Sequence, residues 1–478
     1  SENTAIGNDA MRNNTTGSTN TALGNTALYN NTTATNNTAV GHSALVSNTT
    51  GSENSGFGTQ ALQNNTTANN NTACGFRALR VNTTGVNNTA VGRKALDANT
   101  TASDNAAFGS DTLGSNTTGF QNTAFGRGAL NANTTANNNV AVGYAALDRN
   151  TTGASNVAVG SVALFFNTTA SNNTAVGYGS LNANTTGDNN TAVGTLALDA
   201  NTTQNNSVAI GYRSLTSQTV ADQNTAVGAD SMYTNTTGEY NVAMGFMTLY
   251  SNTTANYTTA LGYQALLSNT TGGTNTAVGA NAMDACTTGS ANAGFGTHAL
   301  GAVTTGANNS ALGYDSGGAI TTGSNNLMLG KEAGGGSSPG GTITTGSNNV
   351  VLGNNSISNL FCADTTISSS DSRDKADITD FTQGLSWINS LRPVTFRWDR
   401  RTWYGTKENP YGTSDGSKKR SKINVGFLAQ EVLEIEKANG YGADNDNSLI
   451  TYLQEDEMAY MLKEGKFIPI LVNAIKEL

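Results

Sequence analysis

Twenty glycines recur at every seventeenth residue without an insertion, from Gly7 through Gly24, Gly41 and Gly58 to Gly330. So strict a period describes a stack of near-identical units, each touching mainly its neighbours, and little else can satisfy it. With the glycine as position 0, the unit reads N-T-A-V-G-x-x-A-L-x-x-N-T-T-[GA]-x-x, as in Asn37-Thr38-Ala39-Val40-Gly41, Ala44-Leu45 and Asn48-Thr49-Thr50-Gly51. Position −1 is apolar in all twenty units (Ile6, Leu23, Val40, Phe57, Cys74, Val91, onward to Leu329). Position +4 is Leu or Met in eighteen, position −2 is Ala in seventeen, and position −4 is Asn in eighteen.

A helical reading fails, because Asn, Thr and Gly are poor helix formers and apolar residues never recur at helical spacing. The T-A-V-G run alternates as a strand does, and N-T-T-G is turn chemistry. Two short strands and two turns per seventeen residues predict one coil of a parallel β-solenoid, with stacked Asn and Thr side chains bonding their copies above and below. At about 4.8 Å per coil, twenty coils make a rod of roughly 100 Å. If Val and Leu fill the interior, the Ala at −2 faces outward. A small residue kept there suggests a second backbone close by, so we expect a homotrimer. The residue at +10 alternates Gly17, Ala34, Gly51, Ala68 and onward to Gly187, a 34-residue doublet beneath the period.

The composition changes near residue 365. Of 57 charged residues, 32 lie in the last 109 positions, and all four prolines follow the regular array. Residues 334–369 are a worn repeat and junction: Gly353 follows Gly330 by 23 residues, with a Gly- and Ser-rich stretch between. This divides the chain into a solenoid over 1–333, the junction, and a carboxy-terminal domain over 370–478. Net charge is −9, with 9 basic and 16 acidic residues before Ser370, which argues against a nucleic-acid partner. No apolar run approaches membrane-spanning length, so no membrane insertion is expected. The chain opens at Ser1 partway into a unit, and we read it as a piece of a longer protein. Cys74 takes the apolar −1 slot, Cys286 replaces a ladder Asn, and Cys362 lies in the junction; they and the scattered His42 and His298 suggest neither a metal site nor a cofactor. Asn-x-Thr triplets match glycosylation acceptors but here constitute the repeat itself.

From Ser370 the chain reads Ser370-Asp371-Ser372-Arg373-Asp374-Lys375, continues through Leu391-Arg392-Pro393-Val394-Thr395-Phe396 and Gly426-Phe427-Leu428-Ala429-Gln430-Glu431-Val432, and closes on an apolar segment from Phe467. These blocks resemble the intramolecular chaperone of endosialidase family, self-cleaving serine peptidases at the carboxy end of phage tail spikes and fibres. The resemblance implies a small α+β domain that trimerises early, holds three chains in register while the fibre winds, and then cuts itself off between Ser369 and Ser370. By the motif match Ser370 is the nucleophile and Lys375 the general base, with Asp371 and Arg373 as motif support. A lysine serves as base only when its pKa falls well below about 10.4; burial and Arg373 act in that direction, while Asp371 and Asp374 oppose it. An offset of five places Ser370 and Lys375 on opposite faces of a strand, so either a turn or a lysine from a neighbouring chain must close the pair.

The T-A-V-G-x-x-A-L motif also resembles the head repeats of bacterial trimeric autotransporter adhesins, which implies a β-roll trimer. The expected protein is therefore a mostly β, homotrimeric rod: a structural and adhesive phage tail fibre on the virion, or alternatively a bacterial surface adhesin or extracellular filament. Its partners are copies of itself and a host cell-surface receptor or glycan. Variable aromatics at Tyr29, Phe165, Phe166, Tyr233 and Tyr250 are candidate receptor contacts. Apart from a single self-cleavage, no enzymatic activity is expected.

Overall fold

In a computed structural model, residues 2–358, 378–405, 412–444, 447–453 and 460–478 are described. The chain divides into two compact units, Ser1–Asn354 and Asn355–Leu478. The first is a parallel β-solenoid. Each coil contributes one three-residue strand, from β1 (Thr4–Ile6) to β20 (Leu327–Leu329), and β21 (Val350–Leu352) extends the array. Successive strands pair in parallel at an offset of seventeen, so that Thr21, Ala22 and Leu23 face Thr38, Ala39 and Val40. The last pairing, Leu327 with Val350, absorbs the six extra residues of the junction in a loop. The second strand expected in each coil is absent; turns occupy that part of the circuit.

The leucine at +4 is inside as expected, but Ala and Val have exchanged faces. Ala39, Ala44 and Leu45 are fully buried, as are their equivalents along the rod, whereas Val40 and Thr38 at −1 and −3 face outward. A coil with a single short strand encloses a narrow lumen, and one leucine with two alanine methyl groups fills it. The exceptions confirm the volume constraint. Met328 is the only large residue at −2, and it lies between the only units whose +4 residue is glycine, Gly317 and Gly334. A methyl group on Gly334 would stand 2.8 Å from the Met328 sulfur, which occupies the space a leucine leaves. Cys74, expected in the core, is exposed for the same reason: it sits at −1.

Backbone conformation explains the rest of the consensus. The +4 residues adopt left-handed geometry, with Leu181 at φ 50° and Met232 at φ 50°. That conformation costs about 1–2 kcal/mol for an L-residue and is most strained for β-branched side chains. Leu and Met are unbranched at Cβ and regain about 1.5–3 kcal/mol by full burial. Leu181→Ile should therefore lower rod stability by about 1–2 kcal/mol more than Leu181→Met, read from paired denaturant titrations.

Two files of buried asparagine line the lumen, one of them giving way to Cys286, Val303 and Ile320 in the last coils. The amide nitrogens of Asn37 and Asn48 both donate to the Gly51 carbonyl, at 2.9 and 2.8 Å. Asn37 Oδ1 accepts the Asn54 backbone N–H at 2.9 Å, and Asn48 Nδ2 donates to Asn31 Oδ1 at 3.0 Å. Threonines behave differently from expectation: Thr49 Oγ1 donates to the Thr66 carbonyl (3.0 Å) and not to its copy's hydroxyl. At one of the breaks in these files, two substitutions in the same coil offset each other. Ser207 is shorter than the usual Asn and Gln218 longer, and Gln218 Nε2 reaches Ser207 Oγ at 3.0 Å. Asn201 Oδ1 loses its partner at this break.

The second unit contains α1 (Leu385–Ser390), β22 (Val394–Phe396), β23 (Asn424–Gly426), α2 (Ala429–Ala438), β24 (Thr451–Leu453), β25 (Tyr460–Leu462) and α3 (Phe467–Glu477). Strands β22 and β23 pair antiparallel, as do β24 and β25. Trp387, Val432, Ile450, Phe467 and Ile470 form its core.

Candidate functional site

Turning Val and Thr outward creates the most conspicuous surface of the rod. Positions −3 and −1 form two parallel lanes along 21 strands, and none of these 42 residues is charged. Lane −1 is apolar throughout: Ile6 is 59 % exposed, Leu312 57 % and Phe125 42 %. Phe108 and Phe125 stack along it with centroids 4.3 Å apart. A continuous apolar strip this long on a solvated rod marks an interaction face. Its signal lay in the sequence, in the invariant apolar −1 position, but had been assigned to the core.

The aromatic side chains expected to contact a receptor are half-buried, save Phe166, which is just exposed. Tyr233 and Tyr250 stack on adjacent coils at 5.2 Å, Phe165 meets Phe166 edge-on at 4.8 Å, and Arg12 lies 5.9 Å over Tyr29. Another file escaped the sequence reading: position +1 carries Tyr144, Tyr178, Tyr212 and Phe246, all well exposed.

Among the described residues no cluster of His, Cys, Asp or Glu is suited to a metal ion, and no helix is long and apolar enough to cross a membrane. Burial pushes the Cys286 thiol up to about 11. Cys286 is fully buried and lies 3.5 Å from the Gly289 carbonyl, standing in for a file Asn. Asp148, Asp199, Asp284 and Asp315 are all raised above the ordinary carboxylate value, chiefly by burial in the rod wall. A raised folded-state pKa means the folded chain binds more protons, so this contribution to stability is greatest below the unfolded value near 3.9 and is lost as pH rises through the folded values. The rod should hence melt at a higher temperature at pH 4 than at pH 7. Asp199→Asn, which removes the carboxylate whose Oδ1 lacks a partner, should raise the pH 7 melting temperature and flatten that dependence.

In the second unit, the blocks separated in sequence come together. Val394 pairs with Gly426, and Arg392 forms a two-pronged ion pair with Glu431, which raises the guanidinium and lowers the carboxylate pKa. Phe427 stacks on Phe467 at 5.1 Å, and Val432 is buried. Residues 370–441 match the family model of the chaperone of endosialidase. No curated protein matches the chain. The matched stretch runs from the proposed nucleophile to Tyr441, just past α2. Ser369, Ser370, Asp371, Arg373 and Lys375 lie outside the described residues.

Inside the matched chaperone segment is a residue the sequence reading passed over. Glu436 is fully buried on α2, and its carboxylate accepts hydrogen bonds from the backbone N–H of Leu449 (2.8 Å), Ile450 (2.5 Å) and Thr451 (3.2 Å). The hydroxyls of Ser448 and Thr451 also donate to it. One carboxylate thus ties the end of the matched segment to the loop leading into β24. Its position four residues after Val432, on the apolar stripe of the helix, was the available clue. Beside β23 and β25 an open groove of about 420 Å³ is lined by Phe396, Trp398, Val425, Leu428, Met461 and Leu462, an apolar surface with no acid–base chemistry in those side chains.

Proposed function

We propose that the chain is a homotrimeric, adhesive fibre of the phage tail type, in which the carboxy-terminal domain registers three copies and then releases itself. The observation that carries this reading is the pair of uncharged lanes on a rod whose carboxy-terminal segment matches a chaperone family. Identical coils contain no register mark. A slip of seventeen residues loses only one coil of contacts, so an external clamp is physically required for unique assembly. Helix α3 offers a second apolar face: Ile468, Leu471, Val472, Ile475 and Leu478 are exposed at helical spacing, while Phe467, Ile470 and Ala474 pack inward. Three such faces suit a bundle at the clamp.

In this reading the Ser370 hydroxyl attacks the Ser369 carbonyl carbon, Lys375 takes the hydroxyl proton and passes it to the Ser370 amine as the peptide C–N bond breaks, and water then hydrolyses the ester between Ser369 and the Ser370 side chain; Asp371 and Arg373 set the local field. Tyr29, Phe165, Phe166, Tyr233 and Tyr250 are proposed contacts to a host-surface receptor, on a fibre carried by the virion. A bacterial surface adhesin is the second reading, favoured by the likeness of the coil motif to autotransporter head repeats. Wild type, Ser370→Ala and Lys375→Ala, compared on denaturing gels, test the cleavage: both variants should lose a fragment of about 109 residues (370–478). Identical bands in all three discard self-cleavage. Sedimentation of the assembled protein tests the oligomer, and a monomeric rod overturns it.

A further inference from the structure

The +1 position, next to each strand-ending glycine, carries a ring in every second coil through the middle of the rod. Tyr144, Tyr178, Tyr212 and Phe246 are separated by 34 residues each, and the intervening coils carry only Ser161, Thr195 and Ala229. The rings are 55, 58, 48 and 44 % exposed. Side chains at +1 form one physical file: Phe246 stacks on Tyr263 of the next coil at 5.8 Å, and Arg127 lies 5.9 Å over Tyr144 of the next. Two coils advance the file by about 9.6 Å, so the four rings span roughly 29 Å along the rod. Exposed aromatic rings held at equal intervals, with small residues between them, are not needed by the coil, whose core is complete without them.

We propose that this file is a binding platform for an extended, neutral β-1,4-linked hexopyranose chain. Successive sugars in such a chain alternate by half a turn, so every second unit presents the same C–H face, at a repeat of about 10 Å that matches two coils. Each exposed ring offers an apolar surface against which that C–H face can pack. Charge selects the neutral class. The +1 file carries three basic residues and no acidic one, but the chain before Ser370 has 16 acidic against 9 basic side chains, and that excess of negative charge disfavours a polyanion. Arg213, fixed by Asp230 at 2.9 Å and lying 4.7 Å over the Tyr212 ring, holds that ring in place. The proposal deepens the adhesive reading, on which it rests for its setting, by naming a ligand class.

Calorimetric titration of the full chain with cellohexaose, chitohexaose, maltohexaose and polygalacturonate tests it. Cellohexaose or chitohexaose should bind, the better of the two revealing whether the sugar is N-acetylated; maltohexaose, which coils, and the polyanion should not. Tyr178→Ala/Tyr212→Ala should weaken binding by roughly tenfold or more. Tyr178→Ser/Thr195→Tyr keeps the number of rings but shifts one by a coil, and should weaken binding similarly. These residues are exposed, and unchanged circular dichroism verifies the fold. Absence of binding by both β-1,4-linked oligosaccharides, or binding indifferent to the shifted ring, overturns the proposal. A protein that adsorbs to host cells yet ignores these sugars retains the adhesive reading and loses this one.

Discussion

Alanine at Gly177 should open the rod at that coil, at a cost above about 3 kcal/mol. Gly177 has φ 133°, a region closed to side chains, and a Cβ there would stand 2.6 Å from both the carbonyl carbon and oxygen of Gly194 in the next coil. Backbone meets backbone, so no rotamer change relieves the clash. Relief requires parting the two coils where the Gly194 N–H meets the Val176 carbonyl at 2.7 Å. Because a solenoid is stabilised by nearest-neighbour contacts, the damage should stay local. Hydrogen exchange should show protection lost around residues 160–211 and kept elsewhere. Gly179→Ala is the control. Gly179 sits at φ 61°, and the equivalent residue two coils earlier is Ala145 at φ 52°. This variant should change stability by less than about 1 kcal/mol. Equal effects from the two glycines would contradict the stacking argument.

The second large effect is expected at Glu436. Glu436→Ala removes the acceptor of three backbone N–H groups and two hydroxyls in one step. Leaving several buried donors unpaired should cost more than about 3 kcal/mol, with each contributing about 1–3 kcal/mol. For a domain of this size that is a large share of total stability. Thermal unfolding of the carboxy-terminal domain within the full chain should shift down accordingly, while Glu434→Ala on the exposed side of the same helix should leave it unchanged. Where the domain acts as the register clamp, Glu436→Ala should also yield unassembled or aggregated rod at normal expression. A correctly assembled rod despite an unfolded domain would remove the chaperone role from the proposal.

The seventeen-residue glycine spacing was enough to specify a parallel coil stack, since only Gly tolerates both the backbone angle and the carbonyl pressed against it from Gly7 to Gly313. The blocks around Ser370, Arg392 and Gly426 likewise carried the resemblance to the matched chaperone family before any coordinates, and the structure ties two of them together through Arg392 and Glu431. The inside and outside of the coil were a different matter. Thr-Ala-Val alternates equally well either way round, and its pattern assigns faces without saying which one is core. Lumen volume made the choice: the space beside Leu45 admits the methyl groups of Ala39 and Ala44 and leaves Val40 outside. That inversion moved the apolar strip from the core to the surface. Only stacking three-dimensional coils could bring Tyr144, Tyr178, Tyr212 and Phe246 into one exposed line, because residues 34 apart become neighbours only when the chain has closed two full turns.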